Sequence, residues 1–375
     1  MCICAALVIG SLKASEPVKE IAGSAYMLAL TESGHVLGWG NAGNGQIGKE
    51  GREVVRPRPI DLNGRVVSVA ANANTSFFVM EDGTVKVLGS GNAGGFASGE
   101  EARFTRFDSH GYGTETPISI PNLKNVVQVA STQNTMAALR RDGSVAVWGT
   151  NECGLLGFKD SQGASFVAPA ILEMKGLPKV RAICGTTTSF CALDTEGHLW
   201  SWGDNQSGQL GTGAGYGSFA EPRRLNIPGT VQSFALASCA GFAVTSDGGL
   251  WRWGSNAWGM LAAGMDERIQ LRTPTKLASV KHARKVVSGR QGRQVAVLKS
   301  DGTVVTWGNT DWGQCGTGIS GTSQFEIRKV KLSGVTDIWA AGNNTFFQVG
   351  AQLYWCGMLI PSNRNSKVPI PLQLN

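Results

Sequence analysis

The stretch Ser300-Asp-Gly-Thr-Val-Val-Thr-Trp-Gly308 decides the fold. It reads as a tight Asp-Gly turn followed by a short strand that ends in Trp-Gly. Asp-Gly between apolar runs is a strong hairpin signal, because Gly takes φ > 0 at no steric cost. The apolar strand Val295-Ala-Val-Leu298 lies just upstream, so the segment is a hairpin. The same pattern recurs along the chain: a turn Gly is followed six residues later by a second Gly, usually after Trp. The pairs are Gly34/Gly40, Gly83/Gly89, Gly143/Gly149, Gly197/Gly203, Gly248/Gly254 and Gly302/Gly308, with a degraded copy at Gly350/Gly357. The second Gly recurs at intervals of 49, 60, 54, 51, 54 and 49 residues, so seven units account for nearly all of the 375 residues.

Each unit reads alike. A small-residue strand comes first, as in Val18-Lys-Glu-Ile-Ala-Gly23 or Val126-Val-Gln-Val-Ala-Ser131. An apolar strand follows, as in Tyr26-Met-Leu-Ala-Leu30 or Met136-Ala-Ala-Leu139, and then the turn. The third strand ends in Trp39-Gly40, Trp148-Gly149, Trp202-Gly203, Trp253-Gly254 or Trp307-Gly308, with Leu88 and Cys356 in the Trp slot of units two and seven. A loop in the style of Asn205-Gln-Ser-Gly-Gln-Leu-Gly211 leads to a fourth strand marked by Pro59, Pro222 or Pro274. Four short strands per unit, repeated around a ring, make a β-propeller. The expected architecture is therefore all-β: a seven-bladed β-propeller with about 50 residues and four antiparallel strands per blade. Large Trp rings fill the widening space between blades, and Ala and Gly strands fit where blades crowd the axis.

The Val-x-x-Val-Ala-Ala-Gly, Leu-x-x-Asp-Gly-x-Val-x-x-Trp-Gly and Gly-Gln-Leu-Gly elements resemble the repeat of the regulator of chromosome condensation family over about residues 16–360. The resemblance implies the seven-bladed fold and leaves the function open. Members of that family include a nucleotide exchange factor for a small GTPase, a plant ultraviolet-B photoreceptor, secreted β-lactamase inhibitors and bacterial effectors acting on host GTPases.

The expected organisation is one propeller over 16–375, with repeat units at about 18–65, 66–125, 126–179, 180–230, 231–284, 285–334 and 335–375. The C-terminal Val368-Pro-Ile-Pro-Leu372 is expected to form a fourth strand lying against the sheet that starts near Val18. Residues 1–15 read two ways. Cys2 to Gly10 is an apolar run without a basic n-region, either a signal peptide, placing the protein in the periplasm or outside the cell, or a closing strand of a cytoplasmic one. An apolar content of 42% with 16% charged residues excludes intrinsic disorder. No apolar run reaches the length of a membrane-spanning helix, so no membrane insertion is expected, and the protein is expected to be a monomer. The six Cys beyond the first segment show no C-x-x-C or His-spaced metal pattern; Cys184 and Cys191 could face each other across a hairpin.

No constellation for catalysis, cofactor or metal is present, and the chain is expected not to be an enzyme. His35 and His198 fill the same slot after the turn Gly, and Asp82, Asp142, Asp247 and Asp301 are turn residues. The photoreceptor's Gly-Trp-Arg-His-Thr motif is absent. What remains is a binding surface, so the preferred reading is a protein-binding scaffold or regulator. The alternatives are a guanine nucleotide exchange factor for a small GTPase and a secreted inhibitor or effector. No separate inserted hairpin of the kind an exchange factor uses as a wedge is expected.

Two surfaces are candidates. Residues 1–180 carry sixteen basic and sixteen acidic side chains, so the net charge of +7 arises wholly in 181–375. Within it, 268–299 hold nine Lys/Arg and no acid. Lys281, Arg284, Lys285, Arg290 and Arg293 are expected to meet Trp258 and Trp312 in a basic, aromatic-edged patch. Such a patch suits an acidic protein, with nucleic acid the less favoured partner. This requires the blade-five-to-six link and the loops after Trp-Gly to share a rim. The second candidate is the long loop of unit two, where Arg103, Phe104, Arg106, Phe107 and Tyr112 alternate cationic and aromatic side chains in a protein-contact composition.

Overall fold

The computed structural model describes residues 16–48, 53–91, 105–107, 111–159, 167–168, 170–289, 293–359 and 364–374. Among them, seven antiparallel sheets follow one another along the chain, six of them four-stranded meanders of consecutive strands. The inner strands are Val18–Gly23, Val66–Ala71, Val126–Ser131, Val180–Gly185, Val231–Leu236, Ala283–Ser288 and Val335–Ala341. Together they line a central channel of about 430 Å³. The second strands, such as Tyr26–Thr31 and Ala240–Thr245, are buried along their whole length. Both of their faces pack on neighbouring blades, which is why they read as unbroken apolar runs. The two helical segments among the described residues are three-residue 3₁₀ turns, Glu152–Gly154 and Ala257–Gly259. The all-β, seven-bladed architecture read from the sequence is therefore the one observed.

The five Trp of the Trp-Gly dipeptides are fully buried between blades. Trp148 packs edge-on against Phe77 of the preceding blade at 6.4 Å between ring centres, and Trp307 against Phe242 at 6.2 Å. Gly241 is small for the same reason: a Cβ there would lie 2.3 Å from the Trp253 ring.

A β-bulge recurs at the same place in every inner strand, between Val18 and Glu20, Val66 and Ser68, Val126 and Gln128, Val180 and Ala182, Val231 and Ser233, Ala283 and Lys285, and Val335 and Asp337. A bulge re-aims the side chains around it, and here it turns them onto the next blade. Lys19 Nζ donates to the Val67 carbonyl at 2.7 Å, Arg181 Nη2 to Val231 at 2.9 Å and Arg284 Nη2 to Thr336 at 2.6 Å. One position further on, Gln128 both donates to the Ile183 carbonyl at 3.0 Å and accepts from its N–H at 2.9 Å. Glu20 accepts from the Val69 N–H, Ser233 from Val286, and Lys285 pairs with Asp337 at 2.6 Å. A belt of clasps thus ties blade to blade around the axis.

Two expectations need correction. The C-terminal strand Arg364–Pro371 hydrogen-bonds to Gln352–Leu359 within the seventh sheet, not to the first. The ends of the chain meet through side chains instead: Leu372 joins Val18, Ile21, Trp39, Trp339 and Phe346 in one apolar cluster. A complete four-stranded last blade leaves no gap for an exchanged strand. The second correction concerns blade two. Its sheet has five strands, because Thr105–Phe107 pairs with the start of Gly111–Ser119. An inserted hairpin is therefore present, where the sequence was expected to hold none. Arg106 and Tyr112 are register partners in it.

The N-terminal segment 1–15, with Cys2 and Cys4, lies outside the described residues. Cys184 and Cys191 are register partners across the first hairpin of blade four, and both are free thiols. Burial pushes the Cys191 thiol well above its ordinary value, which makes it unreactive.

Candidate partner-binding face

The meander gives the ring two unlike ends. At one end lie the Asp-Gly turns, the starts of the inner strands and the blade-to-blade links; this is the turn face. At the other lie the short turns after the inner strands and the long loops after Trp-Gly; this is the loop face. The links belong with the Asp-Gly turns because Ala283 N donates to the Gly248 carbonyl at 3.0 Å and Val126 N to Gly83 at 2.9 Å.

This division splits the basic stretch. Lys281, Arg284 and Lys285 sit on the turn face, whereas Arg293, Trp258 and Trp312 sit on the loop face, so the single patch expected from the sequence does not form. The inner strand Ala283–Ser288 runs from one end of the ring to the other between the two groups, and charge patterning carries no strand direction. Arg284 and Lys285 are also engaged in the inter-blade belt, while Lys281 is exposed. Arg290, Arg103 and Phe104 fall outside the described residues. For Arg106, Phe107 and Tyr112 the structure describes the hairpin backbone alone.

The loop face is built from a repeated device. In the loops after Trp-Gly, the Asn151, Asn205 and Asn256 side chains accept from the N–H five residues on, of Leu156, Leu210 and Leu261, at 2.9, 3.0 and 3.0 Å. The next blade's Trp then donates its indole N–H into the loop: Trp202 to Leu155 at 3.1 Å, Trp253 to Gln209 at 2.8 Å and Trp307 to Met260 at 2.7 Å. The third residue of the loop differs in burial from blade to blade: Ser207 in blade four and Trp258 in blade five are half-buried, Trp258 against the blade-five core, and Trp312 in blade six is exposed. Trp258 holds φ at 56°, a left-handed backbone that bulky residues rarely adopt, and its N–H donates to Glu267 at 2.8 Å.

Arg293, itself at φ 51°, lays its guanidinium 3.6 Å over the Trp258 ring. Its carbonyl accepts from Asn309 N at 2.8 Å, which ties it to the loop that presents Trp312, 39% exposed. Two Trp and one Arg from adjacent blades therefore share one rim. No carboxylate pairs with Arg293 among the described residues. Further exposed apolar side chains on this face come from three neighbouring loops: Phe158, Tyr216 at 53% and Met265 at 82%. The sequence reading missed Tyr216 and Met265, because single polar-loop aromatics carry no periodic signal.

Among the described residues, no nucleophile is assembled around a histidine. Ser33 Oγ lies 2.8 Å from Glu16 Oε2 and 2.7 Å from His35 Nδ1, but the hydroxyl sits between acid and imidazole. The His is thereby not oriented by the acid, as nucleophile activation requires. His198 Nδ1 is 3.3 Å from Asp194, which also accepts from the Trp200 indole.

Comparison with known proteins agrees with the repeat reading. Residues 196–244 and 182–209 match models of the regulator of chromosome condensation (RCC1) repeat. The chain is 28% identical over 323 residues to the mouse E3 ubiquitin-protein ligase HERC2, covering 83% of this chain and 6% of that protein, so it spans a small part of that relative. In structure it is similar to human WBSCR16, with TM-score 0.76, 20% identity and coverage of 90% of this chain and 94% of that one. It is also similar to Prp20p of Saccharomyces cerevisiae, with TM-score 0.73, 22% identity and coverage of 87% and 80%.

Proposed function

We propose that this chain, a seven-bladed propeller of regulator of chromosome condensation repeats, is a non-enzymatic scaffold or regulator that binds a partner protein through its loop face at blades five and six. The observation that carries this reading is the Trp258–Arg293 stack beside the exposed Trp312. Aromatic residues and Arg dominate binding hot spots, and two residues held in left-handed backbone mark a place where stability is given up for presentation. The turn face offers less, since Arg284 and Lys285 are occupied in holding blades together.

The test is site-specific photocrosslinking in cells of the source organism. A benzophenone amino acid at position 312 is expected to trap a partner, and the same group at Lys281 on the turn face is not. Trapping from 281 alone would place the binding surface on the wrong face. Reversing Lys281 to Glu is expected to leave partner retention and its salt dependence unchanged.

A second reading, nucleotide exchange on a small GTPase, is favoured by the inserted hairpin of blade two. Exchange needs only a surface that prefers the nucleotide-free protein, and a hairpin inserted beyond the fourth strand is a suitable wedge. Prp20p, alike in fold, has binding properties toward Gsp1p and histones, which lends support to a GTPase as partner. Release of fluorescent GDP from Gsp1p should then accelerate with this chain and fall to the intrinsic rate when residues 104–112 are replaced by a short Gly-Ser turn. No acceleration by the intact chain would remove this GTPase from consideration.

A further inference from the structure

The loop of blade five, from Asn256 to Ile269, is flanked by two guanidinium–aromatic stacks supplied across the blade boundaries. On one side Arg272 of blade five lies 4.5 Å over the ring of Tyr216 from blade four. On the other, Arg293 of blade six lies 3.6 Å over Trp258. In sequence between Trp258 and Arg272 the same loop carries Met265, at 82% the most exposed of the large apolar side chains among the described residues.

The two stacks are alike in a way that the other cations of this region are not. Arg268 is paired with Asp266 at 2.9 Å and Lys276 with Asp247 at 3.3 Å, and Lys285 with Asp337. Arg272 and Arg293 have no acidic partner and donate no side-chain hydrogen bond among the described residues, although both are exposed. Their flat faces rest on aromatic rings, and Tyr216 is itself fixed by its hydroxyl donating to Gln270 at 2.7 Å. A guanidinium that stacks on an aromatic face keeps its edge N–H groups available to a second partner. A planar fork held in this way matches a carboxylate bidentately.

We propose that this loop is a two-point clamp for an acidic peptide segment of a partner protein, in which one carboxylate meets Arg272, a second meets Arg293, and an apolar side chain between them covers Met265. The proposal rests on the loop face being the binding face and adds the chemistry of what binds there. The charge pattern selects a peptide over a nucleic acid. Asp266, Glu267 and Asp311 are exposed on these loops and would repel a continuous run of phosphates, whereas a peptide needs only two carboxylates, one at each stack. An apolar centre between the charges likewise has no counterpart in a phosphate backbone.

The experiment pans the full chain, immobilised, against a phage-displayed library of random twelve-residue peptides at physiological ionic strength. The recovered pool should be enriched in Asp or Glu on either side of an apolar residue. Individual peptides should lose at least tenfold in affinity on the double variant R272A/R293A, whose melting is checked against the parent. The variant R272K/R293K should recover part of the loss, because charge returns without the planar fork. A pool without acidic enrichment, no recovered peptide at all, or equal binding by R272A/R293A overturns the proposal. So does a 20-base-pair DNA duplex that binds with the same dependence on Arg272 and Arg293. Crosslinking from position 312 together with a non-acidic pool would leave the loop face standing and remove only the clamp.

Discussion

Trp202 and Trp39 occupy the same slot in two blades yet differ in one bond. Trp202 donates its indole N–H to Leu155, whereas Trp39 Nε1 is buried without an acceptor among the described residues. Truncating Trp202 to Ala should therefore cost roughly 3–5 kcal/mol, from the emptied inter-blade site. Replacing Trp by Phe separates the bond from the volume. W202F should destabilise by about 1 kcal/mol more than W39F, because only the first leaves a buried carbonyl unpaired. Equal losses in denaturant titrations would show that the indole hydrogen bond contributes nothing. Arg252 is the converse case. Its Nε and Nη1 are buried without partners, and burial lowers its pKa with no compensating acid. The equivalent residues Ser201 and Thr306 donate to the loop carbonyls of Leu210 and Cys315 at 2.8 and 2.7 Å. R252T should accordingly raise stability by about 1 kcal/mol, since a half-buried, unpaired cation is exchanged for a satisfied hydroxyl. A lower melting temperature would mean that the arginine stem packs better than its head costs.

At the scale of elements, the inner-strand bulge converts a sheet edge into an inter-blade joint. Gln128 shows this most fully, since its amide mimics a backbone peptide and makes both bonds to Ile183. Gln128→Ala should cost roughly 1–3 kcal/mol, because it strands a partly buried N–H and C=O of blade four. Gln128→Glu should recover only the accepting half. Hydrogen exchange at the Ile183 amide reads the effect directly, and unchanged protection there would refute the clasp. The sequence read Val-x-x-Val as an ordinary inner strand with a small-residue face. The bulge escaped notice because the two residues at it are of any type, Lys-Glu in blade one and Arg-Lys in blade six. What they share is a destination on the next blade.

For the whole molecule, ring closure rests on side chains of blades one and seven. Deleting residues 366–375 removes most of the last outer strand together with Leu372, and it should lower the melting temperature markedly. An unchanged transition would mean that the first and last blades hold without it. The belt also imposes a pH dependence. Burial raises the Glu20 carboxyl above its ordinary value, against the opposing pull of Val69 N–H, Ser68, Lys19 and Lys285. A carboxyl with a raised folded pKa favours the fold when protonated, so its contribution is present below the unfolded value and lost as pH rises through the folded one. E20Q should therefore melt higher than the parent at pH 7–8, and the two should converge near pH 4. A constant difference across that range would assign the effect to packing.

The number of blades and the buried Trp were set by the sequence alone, because the hairpin turns and the spacing of the turn Gly to the second Gly are local and recur in seven units. Repetition made each weak signal strong, so that even the degraded seventh copy could be placed. Which residues share a surface was decided only by the tertiary structure. Lys285 and Arg293 are eight residues apart, yet Lys285 lies near the start of the strand Ala283–Ser288 on the turn face and Arg293 follows that strand on the loop face, while Tyr216 and Arg272, or Trp258 and Arg293, meet across blade boundaries. Such contacts depend on the direction in which each strand runs and on the angle between neighbouring sheets, and neither quantity is written in the period of the residues.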